Sequence, residues 1–166
     1  MKVELIDKMG TDLSVVNAAR VSYAKEKEEF EKSDERLIRY LAEHKHWSPF
    51  AHTFLSFRIK APVFVARQLV KHQVGLVWNE ESRRYITYDP EIYNIRKWRK
   101  KPDSSKQGSG EQILISTELN LEVNEHLQQG LKLYNRLLLE NVAPEQARAV
   151  LPQSMYTNWI WSGTLY

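Results

Sequence analysis

The sequence predicts a fold of the α+β class (α/β mixed), in which a small sheet accompanies a long helical region. Residues 53–60 alternate apolar and polar side chains, which is typical of a strand with one buried face. Residues 112–141 carry apolar side chains three and four positions apart, which predicts a helix. A chain of 166 residues without internal repeats suits a single domain over 1–166.

The remaining elements are predicted in chain order. Residues 2–6 alternate weakly and predict a first strand, and residues 12–19 predict a short helix. Ser33 is the predicted N-cap of a helix over 34–44, because two acidic residues and an apolar face follow it. The stretch 44–52 is predicted to be a loop broken by a proline.

The middle of the chain combines a helix with irregular segments. Pro62 suits the first turn of a helix that continues over 63–71. Residues 73–79 are predicted as a loop, 84–88 as a strand and about 94–111 as a loop.

The C-terminal part completes the prediction. Gly130 is expected to weaken the long helix locally. A further helix is predicted over 144–150 between two prolines, followed by an extended segment over 155–161 and a turn at 162–163.

The composition excludes several classes of protein. The chain has no cysteine, which rules out a disulfide framework, a cysteine-ligated metal site and a cysteine nucleophile. No apolar run approaches the roughly 20 residues of a membrane span. Residues 1–7 lack the features of a signal peptide. We therefore expect a cytoplasmic protein that binds no membrane.

The net charge of +3 comes from one short segment. Residues 94–106 contain six basic residues and one acidic residue, whereas the rest of the chain is slightly acidic. Such a segment suits nucleic-acid phosphates, with Trp98 stacking on a base. The proline, serine and glycine residues that follow are typical of an exposed loop. We favour the loop over nucleic-acid binding.

A cluster of polar residues runs from the end of the third predicted helix to residue 85. The spacing of Gln68, Lys71 and His72 places them on one helical face. Arg83 and Arg84 suit an anion, because guanidinium binds phosphate through two parallel hydrogen bonds. The cluster suggests a nucleotide or phosphometabolite site, and the alternative is a charged helix end with surface ion pairs.

Two other kinds of site are not favoured by the sequence. His44, His46 and His52 do not have zinc-ligand spacing, so we predict ordinary loop histidines and no metal. The six glycines form no phosphate-binding loop, and a serine-hydrolase motif is absent.

Ordered blocks of sequence connect the chain to a known family. The blocks are 18–23 (AARVSY), 46–52 (HWSPFAH), 62–68 (PVFVARQ), 79–85 (NEESRRY), 147–152 (ARAVLP) and 155–157 (MYT). Over nearly its whole length the chain thereby resembles the flavin-dependent thymidylate synthases.

The chain departs from the motif of that family. The family motif is Arg-His-Arg followed, seven or eight residues later, by Ser. Here Lys71, His72 and Gln73 are followed after eight residues by Ser82, so both arginines are replaced. Lys71 keeps the charge without the planar fork, and Gln73 loses the charge. Ala51 lies where relatives often have Glu.

The resemblance implies methylation of dUMP to dTMP. Methylenetetrahydrofolate donates the carbon, FAD is the cofactor, NADPH is the reductant, and the enzyme is a homotetramer with active sites between subunits. It implies catalytic roles for Ser82 and Arg148, with Ser82 orienting dUMP. The implied FAD contacts are Ser48, Lys71, His72, Gln73 and Glu80. The implied substrate contacts are His46, Gln68, Lys71, Glu80, Glu81, Ser82, Arg83, Arg84 and Arg148.

Relatives continue beyond the segment that corresponds to 151–161, into a helix that contributes to the flavin and uracil sites. The resemblance therefore implies that this chain lacks the C-terminal helical segment and has weak or absent activity alone. A separate C-terminal fragment would then complete a split enzyme. The alternative is a catalytically impaired homologue that binds dUMP or flavin.

Overall fold

The computed structural model describes residues 1–104 and 106–166. Ser105, within the loop predicted at about 94–111, lies outside the described residues. Helices and strands are mixed along the chain, which confirms the predicted fold class. Their bounds are β1 (Lys2–Met9), α1 (Asp12–Arg20), α2 (Lys32–Glu43), β2 (Phe54–Pro62), α3 (Val63–Leu69), β3 (Leu76–Glu80), β4 (Trp98–Arg99), β5 (Gln112–Ile113), α4 (Thr117–Leu139), α5 (Pro144–Ala147) and β6 (Tyr156–Thr164).

Four strands form the main sheet, in the order β1-β2-β6-β3. β1 pairs antiparallel with β2, with a register shift between Leu5 and Asp7. β3 pairs antiparallel with β6, and Glu80 lies opposite Trp159. The sheet therefore carries the C-terminal strand next to the strand that leads into the NEESRRY block.

The chain forms two compact units. The first comprises residues 1–61, 67–81 and 158–166, and the second comprises residues 62–66 and 82–157. The single-domain organisation over 1–166 stays a prediction.

The first unit has a core to which both N-terminal helices and strand β2 contribute. α1 packs against α2 and against the short 3₁₀ helix Ser48–His52. Val15 and Val16 of α1 are fully buried, and Leu41 of α2 and Ile59 of β2 are also buried. Burial of these apolar side chains is the main force that holds the helices in place.

A buried carboxylate fixes the N-terminus of α2. Asp34 accepts hydrogen bonds from Lys27 Nζ at 2.8 Å, from Arg20 Nη2 at 3.0 Å and from the backbone N–H of Glu31 at 3.0 Å. Lys27 contributes most to holding the pKa of Asp34 at about 2, followed by the backbone of Glu31. The N-cap is Glu31, so the prediction of Ser33 at that position was wrong.

The second unit is built around α4. This helix packs against α5 and against the 3₁₀ helix Arg148–Val150. A Cβ at Gly130 would lie 3.1 Å from the carbonyl oxygen of Val150, so the glycine allows a close approach of this segment. Tyr134 and Ala147 are fully buried in this unit.

Other predicted elements need correction. Residues 84–88 form a turn rather than a strand. Part of the loop predicted over 73–79 is strand β3, and residues 162–163 lie in β6 instead of a turn. The segment predicted as a loop at about 94–111 contains β4, which pairs with β5. β3, β4 and residues 162–163 are extended because each pairs with another strand. Residues 84–88 pair with no strand that the structure describes, so they are not extended.

Among the described residues, helices long and apolar enough to cross a membrane are absent.

Candidate functional site

β3 carries Glu80 at its last residue, beside an aromatic stack. Trp78 donates a hydrogen bond from Nε1 to Glu80 Oε2 at 3.2 Å. The Trp78 ring stacks on Trp159 at 4.4 Å and meets Trp161 edge-on at 5.9 Å. Glu80 is exposed on a strand end whose position is fixed by these rings.

Glu81 is held by the neighbouring strand. Its backbone N–H donates to the carbonyl oxygen of Asn158 at 2.9 Å. Asn158 Nδ2 in turn donates to Glu81 Oε2 at 2.7 Å. The carboxylate of this half-buried glutamate is therefore oriented by a side chain 77 positions away in sequence.

Ser82 and Arg84 lie together in the turn that follows. Arg84 Nε donates to Ser82 Oγ at 3.2 Å, and the Arg84 guanidinium lies over the Tyr85 ring at 4.9 Å from its centroid. The backbone N–H of Tyr85 donates to the Ser82 carbonyl oxygen at 2.9 Å, which closes the turn. Arg84 is exposed. A hydroxyl and a guanidinium so close together form a donor set suited to an anionic or carbonyl-bearing ligand.

Arg83 differs from its neighbour because it is buried, with 5% exposure. Its guanidinium donates to the carbonyl oxygen of Tyr88 and lies over the Tyr88 ring at 4.7 Å from the centroid. Arg83 Nε is buried and has no hydrogen-bond partner in the described part of the chain. Arg83 thus stabilises the turn, and a direct contact with substrate stays a prediction.

Lys71, His72 and Gln73 follow the end of α3. The backbone N–H of His72 donates to the Leu69 carbonyl oxygen at 3.0 Å, and that of Leu76 donates to the Gln73 carbonyl oxygen at 3.2 Å. These bonds form consecutive turns rather than a helix, so the prediction that the helix continues to residue 71 was wrong. The three side chains are exposed, as is Gln68 in the last turn of α3.

His46 lies between α2 and the following 3₁₀ helix, which begins at Ser48, and both residues are exposed. A cavity of about 420 Å³ lies here, lined mainly by apolar and aromatic residues that include Trp47, Phe50 and Tyr166 together with His46. In the described part of the chain, no three His, Asp or Glu side chains are arranged to hold a metal ion.

Arg148 occupies the first position of the 3₁₀ helix after α5. Its Nε donates to the Glu145 carbonyl oxygen at 3.1 Å, and the side chain is exposed. The buried neighbour Ala147 anchors the backbone at this point, so Arg148 is presented from a fixed position.

A search for related proteins gives a match over almost the entire chain. The family model described as thymidylate synthase complementing protein matches residues 4–166. The chain belongs to the flavin-dependent thymidylate synthase family. The family's member from Kosmotoga olearia is 42% identical, with 96% of this chain and 70% of that protein covered. A member from Thermus thermophilus is 40% identical, and the chain covers 60% of its length.

Solved structures agree with this membership. The UMP/dUMP methylase PolB of Streptomyces cacaoi, bound to 5-bromo-dUMP, has a TM-score of 0.77 and 34% identity. The match covers 98% of this chain and 73% of that protein. The same methylase bound to 5-bromo-UMP has a TM-score of 0.75 and 31% identity.

The site residues expected for a flavin-dependent thymidylate synthase divide between the two units. Within the second unit, the structure brings Ser82 and Arg84 into contact. Within the first, it places Glu80 and Glu81 at the end of β3. Sequence reasoning missed Asn158, Tyr85 and Tyr88, which contact Glu81, Arg84 and Arg83. The first unit holds His46, Ser48, Gln68, Lys71, His72, Gln73, Glu80 and Glu81, and the second holds Ser82, Arg83, Arg84 and Arg148.

Proposed function

We propose that this chain methylates dUMP to dTMP in a flavin-dependent reaction, with methylenetetrahydrofolate as carbon donor and NADPH as reductant. The observation that carries the proposal is the turn after β3, where Ser82 and Arg84 are in contact within a family match over residues 4–166. The relatives are named as flavin-dependent thymidylate synthases, and PolB as a UMP/dUMP methylase.

In this proposal, exposed arginines hold the nucleotide. Arg84 and Arg148 bind the phosphate or the ring oxygens, because guanidinium donates two parallel hydrogen bonds to such acceptors. Ser82 orients dUMP and does not attack it. The chain has no cysteine, so no thiol nucleophile adds to the uracil ring.

The acceptor groups of the site complement those donors. Glu80 and Glu81 accept hydrogen bonds from the imide N–H or ribose hydroxyls, and Gln68 supplies both a donor and an acceptor. Asn158 holds Glu81 in one orientation, which reduces the entropy lost when substrate binds. Arg83 is a positioning residue, because it stabilises the turn that carries Ser82 and Arg84.

The residues after α3 fit a flavin nucleotide. Lys71, His72 and Gln73 are three consecutive exposed side chains with N–H donors, the chemistry that diphosphate and ring carbonyl oxygens require. In our proposal these three, with Ser48 and Glu80, hold FAD. The bound flavin supplies hydride transfer and one-carbon handling. His46 lines the apolar cavity near α2. In our proposal His46 contacts folate or flavin there.

We also propose that the protein is a homotetramer whose subunits share active sites. Analytical ultracentrifugation with and without dUMP tests the assembly directly: sedimentation as a monomer in both conditions would contradict it.

A second candidate function rests on the replaced arginines. Lys71 and Gln73 offer fewer fixed donors than two guanidinium groups, which favours a dUMP-binding homologue with impaired flavin binding. The visible absorption spectrum separates the two candidates. A yellow protein supports the flavoenzyme, and a colourless protein that binds dUMP without flavin supports the impaired homologue.

Calorimetric titration with dUMP tests the nucleotide-binding part of the proposal. Replacing Arg84 with Gln is expected to weaken dUMP binding by roughly tenfold or more, because a charged hydrogen bond contributes about 1.5–3 kcal/mol. Arg36→Gln, an exposed arginine of α2 outside the site, is the matched control. Equal affinities in the two variants would contradict the assignment of Arg84.

A further inference from the structure

Two adjoining cavities lie in the second unit, apart from the residues assigned above. Their volumes are about 420 and 470 Å³, and Asn94 and Arg96 line both. Volumes in this range suit a small-molecule ligand. None of the residues that line them is among the proposed dUMP or FAD contacts.

The first cavity has the chemistry of a site for a nucleobase. Four carboxamides line it, from Asn94, Gln112, Asn120 and Asn124, together with the indole of Trp98. Asn124 Nδ2 already donates to the Asn120 backbone carbonyl oxygen at 2.9 Å, so Asn124 offers a ligand its Oδ1 acceptor. Asn and Gln pair with the N6 and N7 edge of adenine through two hydrogen bonds, whereas guanine favours Arg or Lys and cytosine favours Asp or Glu. An indole offers a flat surface on which a base stacks.

Trp98, which lines this cavity, carries a buried donor without a partner among the described residues. Trp98 Nε1 is buried and has no hydrogen-bond partner in the described part of the chain. Such groups are rare in native structures, because a buried donor without an acceptor costs free energy. Trp98 is held in β4 opposite Ile113 of β5, so its backbone position is fixed.

Positive charge lies at the same place. Arg96 lines both cavities and Lys97 lines the second, and both side chains are exposed. Lys100 is paired with Glu111 at 3.4 Å, but Arg96 and Lys97 form no ion pair with any residue that the structure describes. Glu91 lines the second cavity together with Arg96 and Lys97, so two cationic side chains stand there against one carboxylate and the local charge stays positive.

We propose that these cavities bind an adenine nucleotide, with the base among the carboxamides and Trp98 and the phosphate at Arg96 and Lys97. These cavities share no residue with the proposed dUMP and FAD contacts, so their occupation can be tested separately, and the dinucleotide as ligand rests on the proposed function, in which NADPH is the reductant. Adenosine phosphates occur both as free nucleotides and as the adenosine end of a phosphorylated nicotinamide dinucleotide. A nucleic-acid strand is less well suited, since the basic segment offers only one aromatic platform.

Isothermal titration of the full chain tests this site with two probes, AMP and adenosine 2′,5′-bisphosphate, and with UMP for comparison. The titrations are run with and without saturating dUMP, so that binding at the first site is recognised by competition. We expect both adenosine phosphates to bind in the presence of dUMP, and UMP to bind more weakly there. Tighter binding of the bisphosphate assigns the site to the dinucleotide, and equal binding assigns it to free nucleotides.

Variants place the ligand within the cavities. Arg96→Gln is expected to weaken AMP binding by about tenfold through loss of the phosphate contact. Asn124→Leu is expected to reduce the preference for AMP over UMP. Lys101→Gln is the matched control, since it removes the same charge from the same segment outside both cavities.

Several results would overturn the proposal. They are no AMP binding at millimolar concentration, complete displacement of AMP by dUMP, or equal losses in the Arg96 and Lys101 variants. A single-stranded oligonucleotide that binds through Arg96 when AMP does not would point to nucleic acid instead. Circular dichroism and thermal unfolding of each variant confirm that it is folded.

Discussion

At the scale of single residues, partners outside the recognisable motifs orient side chains assigned to the site. Asn158 fixes the carboxylate of Glu81, and Tyr88 holds the guanidinium of Arg83. Neither partner is identifiable from a local pattern, because each is an ordinary polar or aromatic residue in the sequence. Arg84 and Ser82 are only two positions apart, and their pairing could be anticipated from the motif.

Asn158→Ala removes the side chain that orients Glu81. We expect the free energy of unfolding to fall by about 1–2 kcal/mol, since a partly buried hydrogen bond to a carboxylate is lost. We also expect a higher dissociation constant for dUMP, measured by calorimetry. Asn79→Ala, an exposed asparagine of β3, is the control. Unchanged dUMP affinity in Asn158→Ala would show that Glu81 needs no such orientation.

Asp34 makes the stability of the protein depend on acidity. Its pKa is about 2 in the folded protein, against an ordinary value of 3.8, chiefly because Lys27 donates to it. A lowered carboxyl pKa stabilises the folded state above the ordinary pKa, and that stabilisation is lost as pH falls from about 4 towards 2.

Urea unfolding between pH 2 and 6 measures this effect. The stability advantage of the native protein over Asp34→Asn is expected to be constant above about pH 5 and to shrink below pH 4. Glu35→Gln, one position later in α2 and exposed, serves as the control. An advantage that stays constant down to pH 2 would be inconsistent with the ion pairs of Asp34.

At the scale of elements, strand pairing explains where sequence prediction succeeded and failed. The strand over 53–60 and the body of the long helix were predicted, because each has a clear period of its own. The predicted start of that helix at residue 112 was wrong, since residues 112–113 pair with β4 as strand β5 and α4 begins at Thr117. β3 lacks such a period and forms through pairing with β6, whose sequence lies about 80 residues away. The glycine in β6 led to the prediction of a turn. Its actual role, close packing against β3, involves a segment far away in sequence and so could not be predicted locally.

Gly163 allows β3 to approach β6. A Cβ at this position would lie 2.3 Å from Leu76 Cδ2 and 2.6 Å from the Gly75 carbonyl oxygen. Gly163→Ala is therefore expected to lower the free energy of unfolding by about 1–3 kcal/mol. Thermal or urea unfolding measures the loss, with Ile160→Thr on an exposed position of the same strand as the control. A loss no larger than that of the control would mean that β3 and β6 move apart to accommodate the Cβ without lowering the free energy of unfolding.

At the scale of the whole molecule, the site residues expected from family resemblance come from both units. Glu81 and Ser82 are adjacent in sequence but belong to different units. The residue types and their order were predictable because the motif blocks follow one another along the chain. Orientation, burial and partners were not predictable, since they depend on contacts between segments far apart in sequence. Arg83 illustrates this, because its burial distinguishes it from the exposed Arg84 beside it.

The distribution of charge also became clearer at this scale. The basic segment was predicted as a solvated loop, but it includes β4 and contributes residues to two cavities, the first of which is lined by four carboxamides. Its charges are not equivalent, because Lys100 is paired with acidic residues and Arg96 lines the cavities.

Release of tritium from the uracil C5 position of labelled dUMP tests the central claim most directly. With FAD, NADPH and methylenetetrahydrofolate present, we predict slow release that accompanies dTMP formation and requires flavin. Arg148→Ala is expected to abolish it, and Arg36→Gln to leave it unchanged. The claim would be contradicted if the folded native chain bound dUMP and flavin but released no tritium, or if release continued without flavin.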